Sequence, residues 1–172
     1  GIRTHPEEPP RRAGDPRGAR VPLRVPDLAG GGQRSLPALA DDSGLEVDAL
    51  GGRPGLHSAR YAGPQADARA NNVKLLAELA DLPLVARSAR FRCAMVFVRD
   101  ADDVAPIIAE ASWPGRIALE PRGAGGFGFD PLFIVEGGDR TAAEMPEAEK
   151  NRVSHRGQTL MALAAAMREV GW

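Results

Sequence analysis

A single cysteine, Cys93, excludes an internal disulfide framework from this 172-residue chain. It lies in the apolar run Phe91 to Val98, with no histidine near it in sequence, which predicts a reduced, buried thiol and not a nucleophile. No stretch approaches the roughly 20 apolar residues that span a bilayer. The N-terminus, rich in proline and arginine, lacks the apolar centre of a secretory signal. An excess of one charge is missing as well. The chain has 22 Lys and Arg against 23 Asp and Glu, a net charge of −1, so no global field recommends nucleic acid or a membrane as a partner. These absences together point to the cytoplasm. Lysine is scarce, with only Lys74 and Lys150 against 20 arginines, and there is no internal repeat. What is present, 43% apolar and 26% charged residues, suits a globular chain with one core or two small lobes around a cleft.

Composition divides the chain near residue 35. The first 35 residues hold 7 Arg, 6 Pro and 6 Gly, end in Gly30-Gly31-Gly32, and carry no period of 2 or 3.6. They read as an extended or disordered arm, with a net charge of +3 too small to favour a polyanion-binding role. From 36 to 172 the pattern is that of one mixed α/β domain. A short apolar strand from Leu36 to Ala40 feeds a turn, Asp41-Asp42-Ser43-Gly44. Leu45, Val47 and Ala49 then alternate with acids, and Gly51-Gly52 turns the chain. An amphipathic helix is predicted over Ala66 to Ala80, its apolar side formed by Val73, Leu75, Leu76 and Leu79. Strands are predicted over Ala89 to Val98, Ala105 to Trp113, Ile117 to Glu120 after a Pro114-Gly115 turn, and Leu132 to Val135. A last helix runs from Ser154, its N-cap, to Val170, with Leu160, Leu163, Ala164 and Met167 as one buried stripe.

Three segments can carry chemistry. Asp41-Asp42-Ser43-Gly44 sets two carboxylates at a strand mouth, where they can share a hard Mg²⁺ ion with phosphates or deprotonate a water. The same residues are also ordinary turn formers. Gly125-Gly126-Phe127-Gly128-Phe129-Asp130-Pro131 combines backbone N–H groups that can approach a ligand with aromatics that can stack on a base. Asp130 can read a base edge or hold the loop, and the phenylalanines can equally plug the core. Lys150-Asn151-Arg152-Val153-Ser154-His155-Arg156-Gly157 places cations at a helix start, which already favours an anion. A fourth segment, His57-Ser58-Ala59-Arg60-Tyr61, has no triad spacing and reads as a loop shaping the pocket. A metal carboxylate site, a stacking loop and a cationic helix start are together what hydrolysis of a nucleoside triphosphate requires.

In these segments, and in the longer phrases Leu36 to Gly52 and Pro54 to Tyr61, the chain resembles the inosine/xanthosine triphosphate pyrophosphatase family, in the family's order, across 137 residues. The resemblance implies an elongated mixed-sheet α/β fold of two lobes around a central nucleotide cleft and a homodimer. It implies Mg²⁺-dependent hydrolysis of ITP, dITP or XTP to the monophosphate and pyrophosphate. It makes Asp42 the general base and a Mg²⁺ ligand, supported by Asp41. Ser43, Phe127, Gly128, Phe129, Asp130, Lys150, His155 and Arg156 would bind substrate, with Phe127 or Phe129 stacking on the purine. His155 and Arg156 would favour a 6-keto base. Residues 1–35 depart from the family pattern, which opens with a strand, a Ser/Thr-Gly-Asn…Lys loop and a helix bearing a metal-binding Glu. The departure points to a truncated or frame-shifted reading upstream of a family body, or to a divergent paralogue. It also raises the alternative of an inactive relative that binds nucleotide or dimerises with an intact copy.

Overall fold

The computed structural model describes residues 36–100 and 102–172, so the expectation of an N-terminal arm lies outside the described residues. Five strands, β1 (Ala38–Val47), β2 (Pro54–Gly55), β3 (Ser88–Val98), β4 (Ile107–Ile117) and β5 (Phe133–Val135), form one sheet in the order β2-β1-β3-β4-β5. Every pairing in it is antiparallel. Three helices, α1 (Ala68–Glu78), α2 (Glu147–Val153) and α3 (His155–Glu169), complete the α/β architecture.

Two predicted turns are strand interior. β1 runs without interruption through Asp41-Asp42-Ser43-Gly44, its register on β3 unbroken from Ala38↔Val98 to Val47↔Ala89. Gly44 bends nothing. It is small because the Gly55 carbonyl oxygen lies 2.4 Å from where its Cβ would stand, a close approach that only glycine permits. Likewise β4 continues through Pro114-Gly115 to Ile117. Pro114 has no N–H to donate, but its carbonyl accepts from Glu136 N at 3.2 Å. A Cβ on Gly115 would meet the Phe133 ring at 2.6 Å. The Gly51-Gly52 turn is as expected, with φ of 65° and 85°.

Alternation along the strands sorts the sheet into two faces. Leu45, Val47, Phe91, Trp113, Ile117 and Phe133 form the main core with Tyr61, Phe129 and the α1 residues Leu75 and Leu79. Farther along this face, Cys93, Met95, Phe97 and Ala109 pack on Leu163 and Met167 of α3. Cys93 is buried and unpaired, as predicted. The opposite face, to which the register assigns Asp42, is mixed, with Ala94 and Val96 buried on it. It carries the ion pairs Arg90–Glu46 (2.8 Å) and Arg92–Glu110 (3.5 Å).

The helices follow their caps. The Asp67 side chain accepts from Ala70 N to start α1, and the Ser154 hydroxyl accepts from Gly157 N to start α3. Val73 and Leu160, expected on buried stripes, are exposed, because contact narrows to Leu75, Leu76 and the C-cap Leu79 at α1 and to Leu163 and Met167 on α3. The helix α2 is not evident in the pattern of its charged sequence. Buried Arg87 donates to the carbonyls of Leu79, Leu82 and Ala118, which ties the end of α1 to the sheet.

Candidate active site

A cleft of about 340 Å³ opens on the core-bearing face, between β1, the Ser58–Ala59 turn, α1, the glycine loop and the start of α3. The volume is of the size that takes a small organic ligand. Of the ten residues singled out from sequence, the fold brings eight together in its lining: Ser43, Phe127, Gly128, Phe129, Asp130, Lys150, His155 and Arg156. Asp41 and Asp42 are not among the lining residues.

The two phenylalanines separate into different roles. Phe129 is 4% exposed and packs edge-on against Tyr61 in the core. Phe127 is 65% exposed, with Lys150 Nζ 5.0 Å and the Arg156 guanidinium 5.5 Å from its ring centroid. Of the pair, it is therefore the ring a planar ligand can stack on. Asp130 holds the loop. Its buried carboxylate accepts from Phe127 N at 2.6 Å and pairs with Lys150. Gly126, at φ 71°, leaves the space that this carboxylate fills.

His155 lies at the bottom of the cleft on an aromatic pile. Its ring stacks on Phe91 at 4.7 Å and lies 6.3 Å from Trp113. Burial first, then the charges of Arg156 and Lys150, lower its pKa from the usual 6.5 to about 4, against a smaller opposing pull from Asp41. The imidazole is therefore neutral near pH 7. Its Nδ1 and the Ser43 Oγ are both buried and lack a hydrogen-bond partner among the described residues. Buried polar atoms without partners are costly. Two of them in the lining of one cleft mark where a ligand's polar atoms belong.

The depressed pKa has a consequence for stability. The unfolded chain binds a proton at His155 below about pH 6.5, whereas the folded chain does so only below about 4. Stability from this group is therefore complete above pH 6.5 and declines as the pH falls toward 4, by about 3 kcal/mol in all. Thermal melts between pH 4 and 7 should show that slope flattened in His155→Gln. An unchanged slope would remove His155 as its source.

The structure separates the two aspartates that the sequence joins. As neighbours within one regular strand, they project to opposite faces of the sheet. Asp41 faces the helix side, where its Oδ2 accepts from Nε of Arg156 at 2.8 Å and lies 2.7 Å from Nη2 in the same ion pair. Asp42 shares the opposite face with Glu46. Among the described residues, no cluster of three or more His, Cys, Asp or Glu could hold a metal ion. The donor set thus fits Mg²⁺ only as an ion shared between the Asp42 carboxylate and phosphate oxygens. Beyond β2, which reaches only Leu45 and Glu46, the outer edge of β1 is unpaired among the described residues. A ligand in the cleft can extend across that edge toward Asp42.

Sequence reasoning missed Asn71 and Asn72. Asn71 accepts from Ala62 N at 2.7 Å and donates to Ala59 O at 3.1 Å, fixing the loop that follows β2. Asn72 donates to Gly128 O at 3.1 Å and ties the aromatic loop to α1. The available signal was two consecutive asparagines, both poor helix formers, inside a predicted helix.

A family model described as the Ham1 family matches residues 27–166. Curated relatives include a dITP/XTP pyrophosphatase of Methylococcus capsulatus, 59% identical over 133 residues, covering 77% of this chain and 66% of that protein. Another dITP/XTP pyrophosphatase, of Thioalkalivibrio sulfidiphilus, is 62% identical over 128 residues, covering 74% and 65%. Among solved structures, a HAM1 protein from Coxiella burnetii superposes with TM-score 0.73 at 47% identity, covering 78% of this chain and 68% of that one. The Staphylococcus aureus Ham1 protein gives TM-score 0.73 at 36% identity, covering 79% and 69%. The chain spans about two thirds of the length of the curated relatives it matches.

Proposed function

The chain belongs to the Ham1 family, and from that premise we propose that it hydrolyses nonstandard purine nucleoside triphosphates (ITP, dITP and XTP) to the monophosphate and pyrophosphate. The observation that carries the proposal is the cleft itself. An exposed aromatic ring is flanked by two cations above a neutral histidine whose Nδ1 has no partner among the described residues. The curated relatives named dITP/XTP pyrophosphatase support the same reading.

In this reading Phe127 stacks on the purine, while Lys150 and Arg156 draw the anionic nucleotide in. Neutral His155 and the Arg156 fork donate to a carbonyl at C6, which adenine does not have. A site whose buried donors stay unpaired with the wrong base discriminates by up to about 10⁴–10⁵-fold. The triphosphate crosses the open β1 edge to Asp42, which accepts the proton of the attacking water. Water adds at the α-phosphorus, the α–β anhydride bond breaks, and pyrophosphate leaves. Mg²⁺ held by Asp42 and the phosphates would neutralise their charge and acidify the water. A homodimer in the cytoplasm belongs to the same proposal, with sedimentation as the check on its stoichiometry.

Pyrophosphate release from ITP, XTP, GTP and ATP with Mg²⁺ tests the function. Turnover of ITP and XTP well above that of ATP is expected, and binding without turnover would refute hydrolysis. Phe127→Ala should raise the KM for ITP about tenfold or more, since stacking contributes about 1–3 kcal/mol per base. An unchanged KM would place the base elsewhere.

A further inference from the structure

We infer that Asp41 is a positioning residue that orients the Arg156 guanidinium over the base site, and not a support for the metal. The inference rests on the nucleotide reading of the cleft. Three observations meet at this pair. Arg156 sits in the first turn of α3, where the helix dipole and free N–H groups disfavour a cation. A carboxylate delivered from β1 offsets that penalty. Nε of the guanidinium donates to Oδ2 of Asp41, and Nη2 on the same edge lies 2.7 Å from that oxygen as an ion pair. One hydrogen bond, with a second nitrogen of the same edge held beside the same oxygen, restrains the orientation of the fork as well as its position. The same guanidinium lies 5.5 Å from the centroid of Phe127. Asp41 thus sets where the cation stands relative to the stacking ring.

The strand register explains why Asp41 has this role and Asp42 does not. Asp41 pairs across from Met95, on the face that α3 covers. Asp42, one residue on, is turned to the other face. As an exposed ion pair, the contact adds little to folding stability. Its effect lies in geometry, so it should be visible in substrate affinity.

The test uses the full 172-residue chain with Asp41→Asn, Arg156→Lys and the double variant. Expected for Asp41→Asn is a KM for ITP raised about tenfold, with kcat within about twofold of wild type. The half-activating Mg²⁺ concentration and the melting temperature should not move. In the Arg156→Lys background, adding Asp41→Asn should change KM by less than about twofold, because the fork it orients is already gone. A raised Mg²⁺ requirement, or an effect of Asp41→Asn that is equally large in both backgrounds, would overturn the inference. Equilibrium dialysis with ITP in the absence of Mg²⁺ gives a readout that does not depend on turnover. If wild type binds ITP but does not hydrolyse it when Mg²⁺ is supplied, the functional proposal fails. The tenfold loss of binding in Asp41→Asn, absent in the Arg156→Lys background, still decides the role of Asp41.

Discussion

Replacing Asp42 by asparagine is expected to lower kcat for ITP by about 10²–10⁴-fold, the range for removing a general base, with KM changed by only a few-fold. Asparagine keeps the shape of the side chain and deletes both the proton acceptor and the charge. Asp42 is half-buried on the face opposite the main core and paired by register with Ala94, so the fold has little reason to respond. The melting temperature should hold, and the Mg²⁺ concentration for half-activation should rise because the carboxylate is also the proposed ligand. Pyrophosphate release under saturating ITP and a Mg²⁺ series measures both. Turnover within tenfold of wild type would end the assignment of Asp42 as base. This result also separates the two aspartates, since Asp41→Asn should move KM and leave the Mg²⁺ requirement alone.

The second large effect comes from a residue that touches no ligand. A Cβ on Gly157 would stand 1.8 Å from the Asn151 carbonyl oxygen and 2.9 Å from its carbon. These are backbone atoms of α2, so no side chain can swing away to relieve the clash. Gly157→Ala must therefore push α3 off α2. Overpacking of this kind costs about 1–3 kcal/mol and sometimes more, which at this size lowers Tm by about 2–12 °C. The displaced elements are the two that carry Lys150, His155 and Arg156. Affinity for ITP should accordingly fall by more than about tenfold even where the chain stays folded. Calorimetry and equilibrium dialysis on the same preparation check the two effects together. A variant that melts and binds as wild type would show that the helices can separate without cost.

Much of this candidate site was legible in the sequence because the residues that line the cleft lie largely in contiguous phrases. The Phe127 loop and the Lys150–Arg156 segment each carry their own turn, cap and charge signals. The cleft needs only that the fold bring them together, as the described structure does. The aspartates were harder. Asp, Ser and Gly together read as a turn, and nothing local reveals that Gly44 is glycine because the Gly55 carbonyl approaches from another strand. Once that turn is recognised as strand, period-two alternation sends Asp41 and Asp42 apart. Gly115 misleads for the same reason, its close neighbours being the Ile134 carbonyl oxygen and the Phe133 ring. Both errors came from long-range contact overriding a local propensity, and the extent of α2 was hidden by its lack of apolar periodicity. The split between Phe127 and Phe129 also depends on tertiary packing, since it is Tyr61 that draws Phe129 into the core.

The pile of rings beneath His155 has a bearing on how such a site can change over generations. Phe91, Trp113 and Phe133 lie within 4.6–6.3 Å of one another, centroid to centroid, and the imidazole is the next layer of the same stack. The hydrophobic interior therefore does not stop short of the cleft; its top layer is His155, which the proposed function makes a recognition group. Under the proposed function, a substitution that alters the bulk of Trp113, or of Phe133 through Phe91, would tilt the histidine and with it the choice of base. Drift in the interior of this fold would then not be neutral for selectivity, and purines could come to be discriminated differently through changes at residues that never meet them.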